Sequence, residues 1–362
     1  MITRTFIARL VGVVMVSVLP MTAYAERGAF DIDRWYEILD NVRTRATSAG
    51  ISRDTIDATL KYPAFIPSIV KSDKNQAEFK LTLDDYLART VNSRRINSGR
   101  EMRTTYPTML SRVEQKYNIQ PHVILAFWGL ESNYGQYRAA HKLTDAFLTL
   151  MYEGRRETFF GNQLLALMKI ADDNNLDIND IRGSWAGAMG HFQFIPTTLQ
   201  QYGADGNGDG KIDIIHSVGD AMFSAGNYLN KLGWNPNERI VRRVALPANF
   251  DISLLDGKTK QPLTYWAAMG VTNPDGTPIP LADMTAGLVA DVNLIQEQRA
   301  AAIAAASNPN AIPDPNAIDT DVAPQPVIYA YLTYPNFYRI KKWNSSNWYA
   351  IAIATLADEL KQ

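Results

Sequence analysis

The sequence of 362 residues contains no cysteine, which excludes disulfide bonds and thiolate metal ligands. Its four histidines are scattered and do not have the spacing of a zinc site. Neither sign of charge dominates, because 36 lysines and arginines stand against 37 aspartates and glutamates. A formal net charge of −1 gives no global electrostatic reason to expect nucleic acid as a partner, and we expect none.

Long hydrophobic runs are scarce, and the only prominent one lies at the start. Arg4 and Arg9 precede the apolar stretch LVGVVMVSVLPM, and the motif AYA ends at Ala25. This pattern predicts a secretory signal peptide at residues 1–25, because the apolar run is shorter than a membrane span. An uncleaved anchor is the alternative. No cysteine follows that could carry a lipid, so we expect a periplasmic mature chain of residues 26–362 without a membrane anchor.

Helical spacing of apolar residues dominates the chain up to RIVRRVALP, where strand-like segments such as FDISLL begin. A T-x-x-D pattern at Thr82 predicts a helix start. Pro121 is expected to open a helix and Gly135 to end it. The predicted fold class is α+β, mainly helical, with an N-terminal helical part and a small β portion in the C-terminal third. Residues 300–326 are rich in Ala, Pro and Asn, which predicts a surface insertion.

Glu131 is the only charged residue in the stretch ILAFWGLESNYG. On a helix, Ile124, Phe127, Trp128 and Glu131 share one face. Apolar surroundings keep a carboxylic acid protonated to higher pH, which is what a general acid requires. The simpler alternative is a glutamate that marks the solvent-exposed end of the helix.

A set of motifs accompanies this glutamate in a fixed order along the chain. They are GLESNYG, GRRETFFGNQ, GSWAGAMGHFQFIPTT, DGNGDGKID, AGNYLNKLGW and YPNFYRI. Together they resemble the lytic transglycosylases typified by membrane-bound lytic transglycosylase B. The resemblance extends over nearly the whole mature chain, from about Asp31 to its end.

The resemblance implies a lysozyme-like catalytic core, at about residues 107–240, that needs no cofactor for its chemistry. It also implies cleavage of the β-1,4 bond between N-acetylmuramic acid and N-acetylglucosamine with a 1,6-anhydromuramoyl product. Glu131 matches the single catalytic glutamate, which acts first as acid and then as base. The substrate's N-acetyl group assists, so no second carboxylate is required.

The resemblance also implies a set of substrate contacts. Ser184 and Gln193 match the two polar positions around AGAMG. Ser184 can hydrogen-bond the acetamido group, and Gln193 can orient Glu131 or a sugar hydroxyl. Tyr228 matches a tyrosine of the later helix, and Arg155 and Arg156 match a paired arginine that would face peptidoglycan carboxylates. Tyr338 and Tyr86 match two tyrosines of the groove. Core packing is the alternative for the aromatic residues, and a solvated ion pair is the alternative for the arginines.

The stretch DGNGDGKID resembles part of a calcium loop. Asp205, Asn207 and Asp209 take positions 1, 3 and 5, and the carbonyl of Lys211 takes position 7. Position 12 is a histidine, so the loop is not a standard EF-hand. In the family the loop is longer, and its later carboxylate corresponds here to Asp220. A structural Ca²⁺ is therefore expected, with a turn that binds no ion as the alternative.

Two other functions remain open for the sequence. A hydrolytic muramidase would use the same scaffold with water in place of the 6-hydroxyl group, and a peptidoglycan-binding protein would have no activity. The expected partners are peptidoglycan glycan strands, with cell-wall synthesis enzymes as candidate protein partners. The protein is expected to be a monomer.

Overall fold

The computed structural model describes residues 30–74, 81–137, 139–306 and 327–361. The predicted signal peptide at residues 1–25 lies outside these ranges. The helices are α1 (Ile32–Ser48), α2 (Arg53–Leu60), α3 (Pro67–Lys74), α4 (Leu83–Thr90), α5 (Ser93–Thr105), α6 (Pro107–Tyr117), α7 (Pro121–Ser132), α8 (Leu143–Glu153), α9 (Glu157–Asn174), α10 (Pro196–Tyr202), α11 (Val218–Lys231), α12 (Leu263–Ala268), α13 (Val292–Ala306), α14 (Pro335–Trp343) and α15 (Asn347–Leu360). The strands are β1 (His141–Lys142), β2 (Arg182–Gly183), β3 (Val241–Leu246), β4 (Gln261–Pro262), β5 (Thr285–Val289) and β6 (Ile328–Thr333).

The chain divides into two compact units. The helical unit comprises the described residues of 12–79, 93–234 and 357–362, and contains α1–α3, α5–α11 and the short β1–β2 ribbon. The sheet unit comprises those of 80–92 and 235–356. Its four strands pair antiparallel in the order β3-β6-β5-β4. The predicted mainly helical α+β fold, with a small sheet in the C-terminal third, is confirmed.

The core of the helical unit is built around α7. Every residue from Val123 to Gly129 is buried, so this helix is apolar on all sides, as a central helix must be. Pro121 occupies its first turn, where the missing N–H costs nothing. Because α7 is packed on all sides, the position of its C-terminal end, where Glu131 lies, is fixed.

The core of the sheet unit lies on one face of its strands. Trp266 is completely buried and donates its indole N–H to the carbonyl of Ala286 at 2.7 Å. Side chains of alternate strand positions, such as Leu288 and Leu332, pack around it. None of the helices in the described ranges combines the length and apolar character that a membrane span needs.

Local details differ from the sequence predictions in two segments. The expected strand at FDISLL is wrong, since Ile252–Leu254 form a single 3-10 turn. The Asp251 carboxylate accepts a hydrogen bond from the Ser253 N–H at 2.9 Å, which favours a turn over an extended strand. The expected insertion at residues 300–326 begins within α13, and residues 307–326 lie outside the described part of the chain.

Candidate active site

Glu131 is the next-to-last residue of α7 and is half-buried. Phe127 and Trp128, which precede it by four and three residues, are almost completely buried. The helix therefore carries its only carboxylate from an apolar interior to the boundary with solvent. A proton donor needs this combination of partial desolvation and access to a ligand.

The helix ends immediately after Glu131, earlier than the predicted stop at Gly135. Asn133 and Tyr134 both adopt the left-handed conformation, with φ of 50° and 60°. The Tyr134 N–H bonds back to the carbonyl of Trp128 at 3.2 Å, as in the capping motif that closes many helices. The Tyr134 hydroxyl donates to the carbonyl of Arg95 at 3.0 Å, which holds the residue in this unusual conformation.

Ser132 links the end of α7 to the segment AGAMGHFQF. Its hydroxyl donates to the backbone carbonyl of His191 at 2.6 Å and accepts from the Gly135 N–H at 2.9 Å. Ser132 itself is 3% exposed, so its hydroxyl group depends on these protein partners for its hydrogen bonds. The residue next to Glu131 is thus tied to the motif that follows it by 59 positions.

A second link joins Trp128 to the side chain of His191. The indole N–H donates to His191 Nδ1 at 3.0 Å. Because an indole nitrogen can only donate, His191 must be an acceptor at Nδ1 and carry its proton on Nε2. Burial lowers the pKa of His191, which favours this neutral form. Trp128 also stacks against Phe192, with 6.3 Å between the ring centroids.

The segment that contains AGAMGHFQF folds back on itself in tight turns. Ser184 donates its N–H to the carbonyl of Ala188 at 2.8 Å, and its hydroxyl oxygen accepts from the Ala188 N–H at 3.0 Å. Gly187 has a φ of 97°, and a Cβ there would overlap the ring of Phe147. The small residues therefore let this backbone pass close to α8, and the Ala188 N–H holds the Ser184 hydroxyl oxygen in place.

Gln193 and Tyr228 complete this side of the site. The Gln193 amide nitrogen donates to the carbonyl of Gly190 at 3.0 Å, which fixes the plane of the side chain. Tyr228 on α11 lies 6.1 Å from the ring of Phe194 and stacks on Tyr202 at 4.4 Å. Burial raises the pKa of the Tyr228 hydroxyl, so it remains a neutral hydrogen-bonding group.

The predicted arginine pair lies between α8 and α9 and has a partner that the sequence did not indicate. Arg155 and Arg156 both form ion pairs with the carboxylate of Asp73, whose side chain is 1% exposed. The Arg155 guanidinium also donates to the Asp73 carbonyl at 3.0 Å. The side chains of the two arginines are 45% and 29% exposed, so each still presents part of its guanidinium to solvent.

The loop DGNGDGKID is folded by its own side chains. The two carboxylate oxygens of Asp205 accept from the N–H groups of Gly208 and Gly210 at 2.6 and 2.8 Å. Asn207 accepts from the N–H of Asp209 at 2.9 Å, and Asp209 in turn accepts from the N–H of Lys211 at 2.8 Å. The side-chain oxygens predicted as ligands are therefore presented by one short, turned segment.

Asp220 is fully buried and accepts three backbone hydrogen bonds from this loop. One oxygen accepts from the N–H groups of Gly206 and Asn207, and the other from that of Asp213. Asp220 thus holds the loop in place from α11, and its role as a calcium ligand stays a prediction. Within the described ranges, no group of three or more His, Asp or Glu side chains is arranged to hold a metal, so a calcium site in this loop would also need Asn207 and a backbone carbonyl.

Two predicted contacts, Tyr86 and Tyr338, belong to the sheet unit. Tyr86 lies on α4 and is half-buried. Tyr338 on α14 shares a hydrogen bond of 2.9 Å with the Thr333 hydroxyl, and the Lys260 ammonium lies 3.7 Å from its ring centroid. A Cβ at Gly287 would overlap the Tyr338 hydroxyl, so this tyrosine lies directly over strand β5.

The helical unit therefore contains most of the predicted site, namely Glu131, Arg155, Arg156, Ser184, Gln193 and Tyr228. Sequence reasoning missed Ser132, His191 and Asp73. Ser132 and His191 lie inside the quoted motifs, and their polar character in apolar surroundings was a usable signal. Asp73 lies in a segment without any motif.

The chain is similar to known proteins in both sequence and structure. A family model described as "Transglycosylase SLT domain" matches residues 34–358. A curated relative, membrane-bound lytic murein transglycosylase B of Escherichia coli (strain K12), is 32% identical over 190 residues. That alignment covers 52% of this chain and 51% of the relative, so the chain spans about half the length of the curated protein it matches.

Solved structures match over more of the chain. SltB3 from Pseudomonas aeruginosa, in complexes with NAG-anhNAM-pentapeptide and with NAG-NAM-pentapeptide, is 34% identical with a TM-score of 0.77. The match covers 90% of this chain and 79% of that one. The Escherichia coli Slt35 structure in complex with calcium has a TM-score of 0.70 at 24% identity, covers 91% of this chain and 92% of its own, and shows the shared fold.

Proposed function

Because the chain belongs to the family of transglycosylase SLT domains, we propose that it is a lytic transglycosylase of peptidoglycan. The bond cleaved is the β-1,4 linkage between N-acetylmuramic acid and N-acetylglucosamine, and the product ends in a 1,6-anhydromuramoyl residue. The observation that carries this proposal is the position of Glu131. It lies half-buried at the end of α7, beside residues fixed to the AGAMGHFQF segment through Ser132 and Trp128.

The reaction needs one proton donor that later becomes a base. The Glu131 carboxyl group donates its proton to the glycosidic oxygen as the bond from that oxygen to C1 breaks. The acetamido oxygen of the same muramoyl residue bonds to C1 and stabilises the positive charge. Glu131, now a carboxylate, removes the proton of the 6-hydroxyl group, and O6 displaces the acetamido oxygen from C1. No water is consumed, and Glu131 ends protonated as it began.

The neighbouring polar groups have roles that fit this sequence. Ser184 donates its hydroxyl hydrogen to the acetamido group, since its oxygen already accepts from Ala188. Gln193, whose amide nitrogen is held by Gly190, presents its carbonyl oxygen to a sugar hydroxyl. Tyr228 offers a neutral hydroxyl and a ring for packing against a sugar. Tyr86 and Tyr338 are proposed as further sugar contacts carried by the sheet unit.

The arginine pair is proposed to bind carboxylates of the substrate. A single buried carboxylate, Asp73, is shared by the two guanidinium groups, and both arginine side chains stay partly exposed. The exposed guanidinium donors of Arg155 and Arg156 suit the planar geometry of a carboxylate. SltB3 is bound to ligands that carry a pentapeptide, and such a ligand is anionic, which supports this assignment.

A structural Ca²⁺ is proposed for the loop that begins at Asp205. Oxygen donors are the ligands that calcium prefers, and carboxylate oxygens that accept one backbone hydrogen bond keep further lone pairs. Asp205, Asn207, Asp209, the carbonyl of Lys211 and the later carboxylate of Asp220 would hold the ion. The ion would stabilise the loop, and no step of the reaction passes through it.

The proposed substrate also suggests where in the cell the enzyme works. We propose a periplasmic protein that loses residues 1–25 on export and acts on glycan strands of peptidoglycan as a monomer. Sequencing the N-terminus of the protein from the periplasmic fraction checks this. Recovery of the intact N-terminus in the membrane fraction would contradict it.

The reaction is tested by digesting purified peptidoglycan in heavy-oxygen water and analysing the products by mass spectrometry. A lytic transglycosylase gives anhydro ends that contain no heavy oxygen, whereas a hydrolytic muramidase gives reducing ends that contain it. Glu131→Gln should lower the rate at least ~10²-fold, because it removes the only proton donor assigned to the reaction. Glu114→Gln is the matched control, since Glu114 is an exposed glutamate of the neighbouring helix α6.

The outcomes separate the alternatives. Heavy oxygen in the products would replace the lytic assignment with the hydrolytic one. Near-normal digestion by folded Glu131→Gln protein would refute the role of Glu131. Absence of any digestion by the wild-type protein, with retained binding, would favour a binding protein without activity.

A further inference from the structure

A cavity of about 480 Å³ opens on the helical unit, and no step of the proposed reaction uses it. Its walls come from α2, the loop after it, strand β1 and the segment before β2. The lining residues are Asp57, Ala58, Lys61, Tyr62, Lys142 and Asn179.

The walls of this cavity carry excess positive charge. Lys61 and Lys142 have no ion-pair partner among the residues that the structure describes. The only acidic residue of the lining, Asp57, is already neutralised by Arg43 at 2.9 Å and Arg53 at 3.5 Å. The hydrogen bond from Arg43 holds the pKa of this carboxyl group below its usual value. The cavity is therefore suited to an anionic ligand.

Two further side chains give the cavity features of a peptide site. Tyr62 is 79% exposed, an unusual exposure for an aromatic residue, and the Lys61 ammonium lies 5.3 Å from its ring centroid. An exposed ring of this kind can pack against aliphatic side chains. Asn179 is held by the Asp177 carboxylate, which accepts from both its backbone N–H and its side-chain amide at 2.9 and 3.1 Å.

The cavity adjoins the candidate active site through the β1–β2 ribbon. Lys142 pairs with Arg182, and Ser184 follows Arg182 by two residues. Paired residues on antiparallel strands lie about 5 Å apart, and two residues of extended chain span about 7 Å. Lys142 and Ser184 are thus separated by roughly 10 Å of ordered backbone, a distance that a substituent of a bound sugar can reach.

We propose that this cavity binds the carboxylates of a stem peptide on the glycan strand held at Glu131, an inference that rests on the proposed function. Sugar hydroxyl groups can only accept hydrogen bonds from the Lys61 and Lys142 ammonium groups, whereas a stem peptide carries several carboxylates on a chain with aliphatic side chains. The cavity thereby makes the enzyme prefer peptide-bearing strands over strands from which the peptides have been removed.

The test measures binding to glycan fragments by isothermal titration calorimetry in the Glu131→Gln background, which prevents turnover. One fragment carries its stem peptides, and the other has been stripped by an amidase and keeps only the lactyl carboxylate next to each muramoyl ring. Lys61→Gln and Lys142→Gln should each weaken binding of the peptide-bearing fragment about two- to five-fold, the range of an exposed ion pair. Binding of the stripped fragment should stay unchanged, and salt should reduce the difference between the fragments.

Controls separate the local charge from net charge and from folding. The double variant Lys116→Gln/Lys231→Gln removes two exposed lysines of the same unit and should bind both fragments like its parent. Lys61→Arg and Lys142→Arg keep the charge and should keep the affinity. Equal losses for both fragments, or none for either, would overturn the peptide site. Failure of the proposed function itself would appear separately, as wild-type protein that forms no anhydro product.

Discussion

The helix that carries Glu131 begins with a histidine that the fold keeps neutral. His122 occupies the first turn of α7 and is half-buried. Burial lowers its pKa from 6.5 to about 4, and the positive charges of Lys361 and Arg103 act in the same direction. A positive charge near a helix N-terminus is also unfavourable because of the helix dipole.

This shift makes the stability of the protein depend on pH in a defined window. Above pH 6.5, His122 is neutral in both the folded and the unfolded protein and contributes nothing. Below pH 6.5 the unfolded chain binds a proton that the folded protein does not, so stability falls as the pH falls. Each pH unit costs about 1.4 kcal/mol until the folded pKa is reached, which amounts to about 3 kcal/mol between pH 6.5 and pH 4.

The measurement is the free energy of unfolding in urea at a series of pH values from 7 to 4, for the wild type and for His122→Asn. The variant should lose about 3 kcal/mol less over this range, because asparagine does not titrate. Carboxylates with lowered pKa values, such as Asp205 and Asp213, lose their contribution as the pH approaches 3.8 and falls below it, but both proteins contain them, so their effect cancels in the comparison. His191 is common to both proteins. Parallel pH profiles for the two proteins would refute the reasoning.

Other expected outcomes follow from single contacts. Calcium should raise the melting temperature of the wild type but not of Asp205→Asn, and a shift of equal size in both would show that the loop is not the site. Gly287→Ala should displace Tyr338 and raise KM, because the added Cβ would overlap the Tyr338 hydroxyl. The same change should raise KM less in a Tyr338→Phe background, which lacks that hydroxyl. Equal effects in both backgrounds would argue against an overlap between the Cβ and the hydroxyl. Ser132→Ala should destabilise the protein by about 1–3 kcal/mol in urea unfolding, because the carbonyl of His191 loses its donor and the N–H of Gly135 loses its acceptor. An unchanged midpoint would contradict this.

Local sequence signals predicted much of the helical framework. The helix expected to open at Pro121 is α7, and the region before RIVRRVALP, where helical spacing dominates, contains helices α1–α11. The cap at Thr82 also forms as expected, with its hydroxyl accepting from the Asp85 N–H at 3.2 Å. These features depend on residues three or four positions apart, which is the distance that a periodic pattern reports.

The partners of the candidate site could not be predicted in this way, because they lie far apart in the sequence. Asp73 meets Arg155 across 82 positions, and Trp128 meets His191 across 63. A lone aspartate in the last turn of the short helix α3 gives no periodic signal, and only the folded chain makes it the counterion of two arginines. The same limit applies to Asp220, whose three backbone hydrogen bonds hold a loop that precedes it.

The end of α7 shows how the fold and the candidate chemistry depend on each other. Non-glycine residues in the left-handed conformation cost of order 1 kcal/mol each, and two of them, Asn133 and Tyr134, follow one another here. A glycine at position 134 would relieve the strain, but it would lose the ring that packs 5.7 Å from Trp128 and the hydroxyl that bonds to Arg95. The strained turn therefore stops the helix one residue after Glu131 and anchors it on both sides. Glu131 is thereby left half-buried at the end of an apolar helix, the position that the proposed proton donor requires.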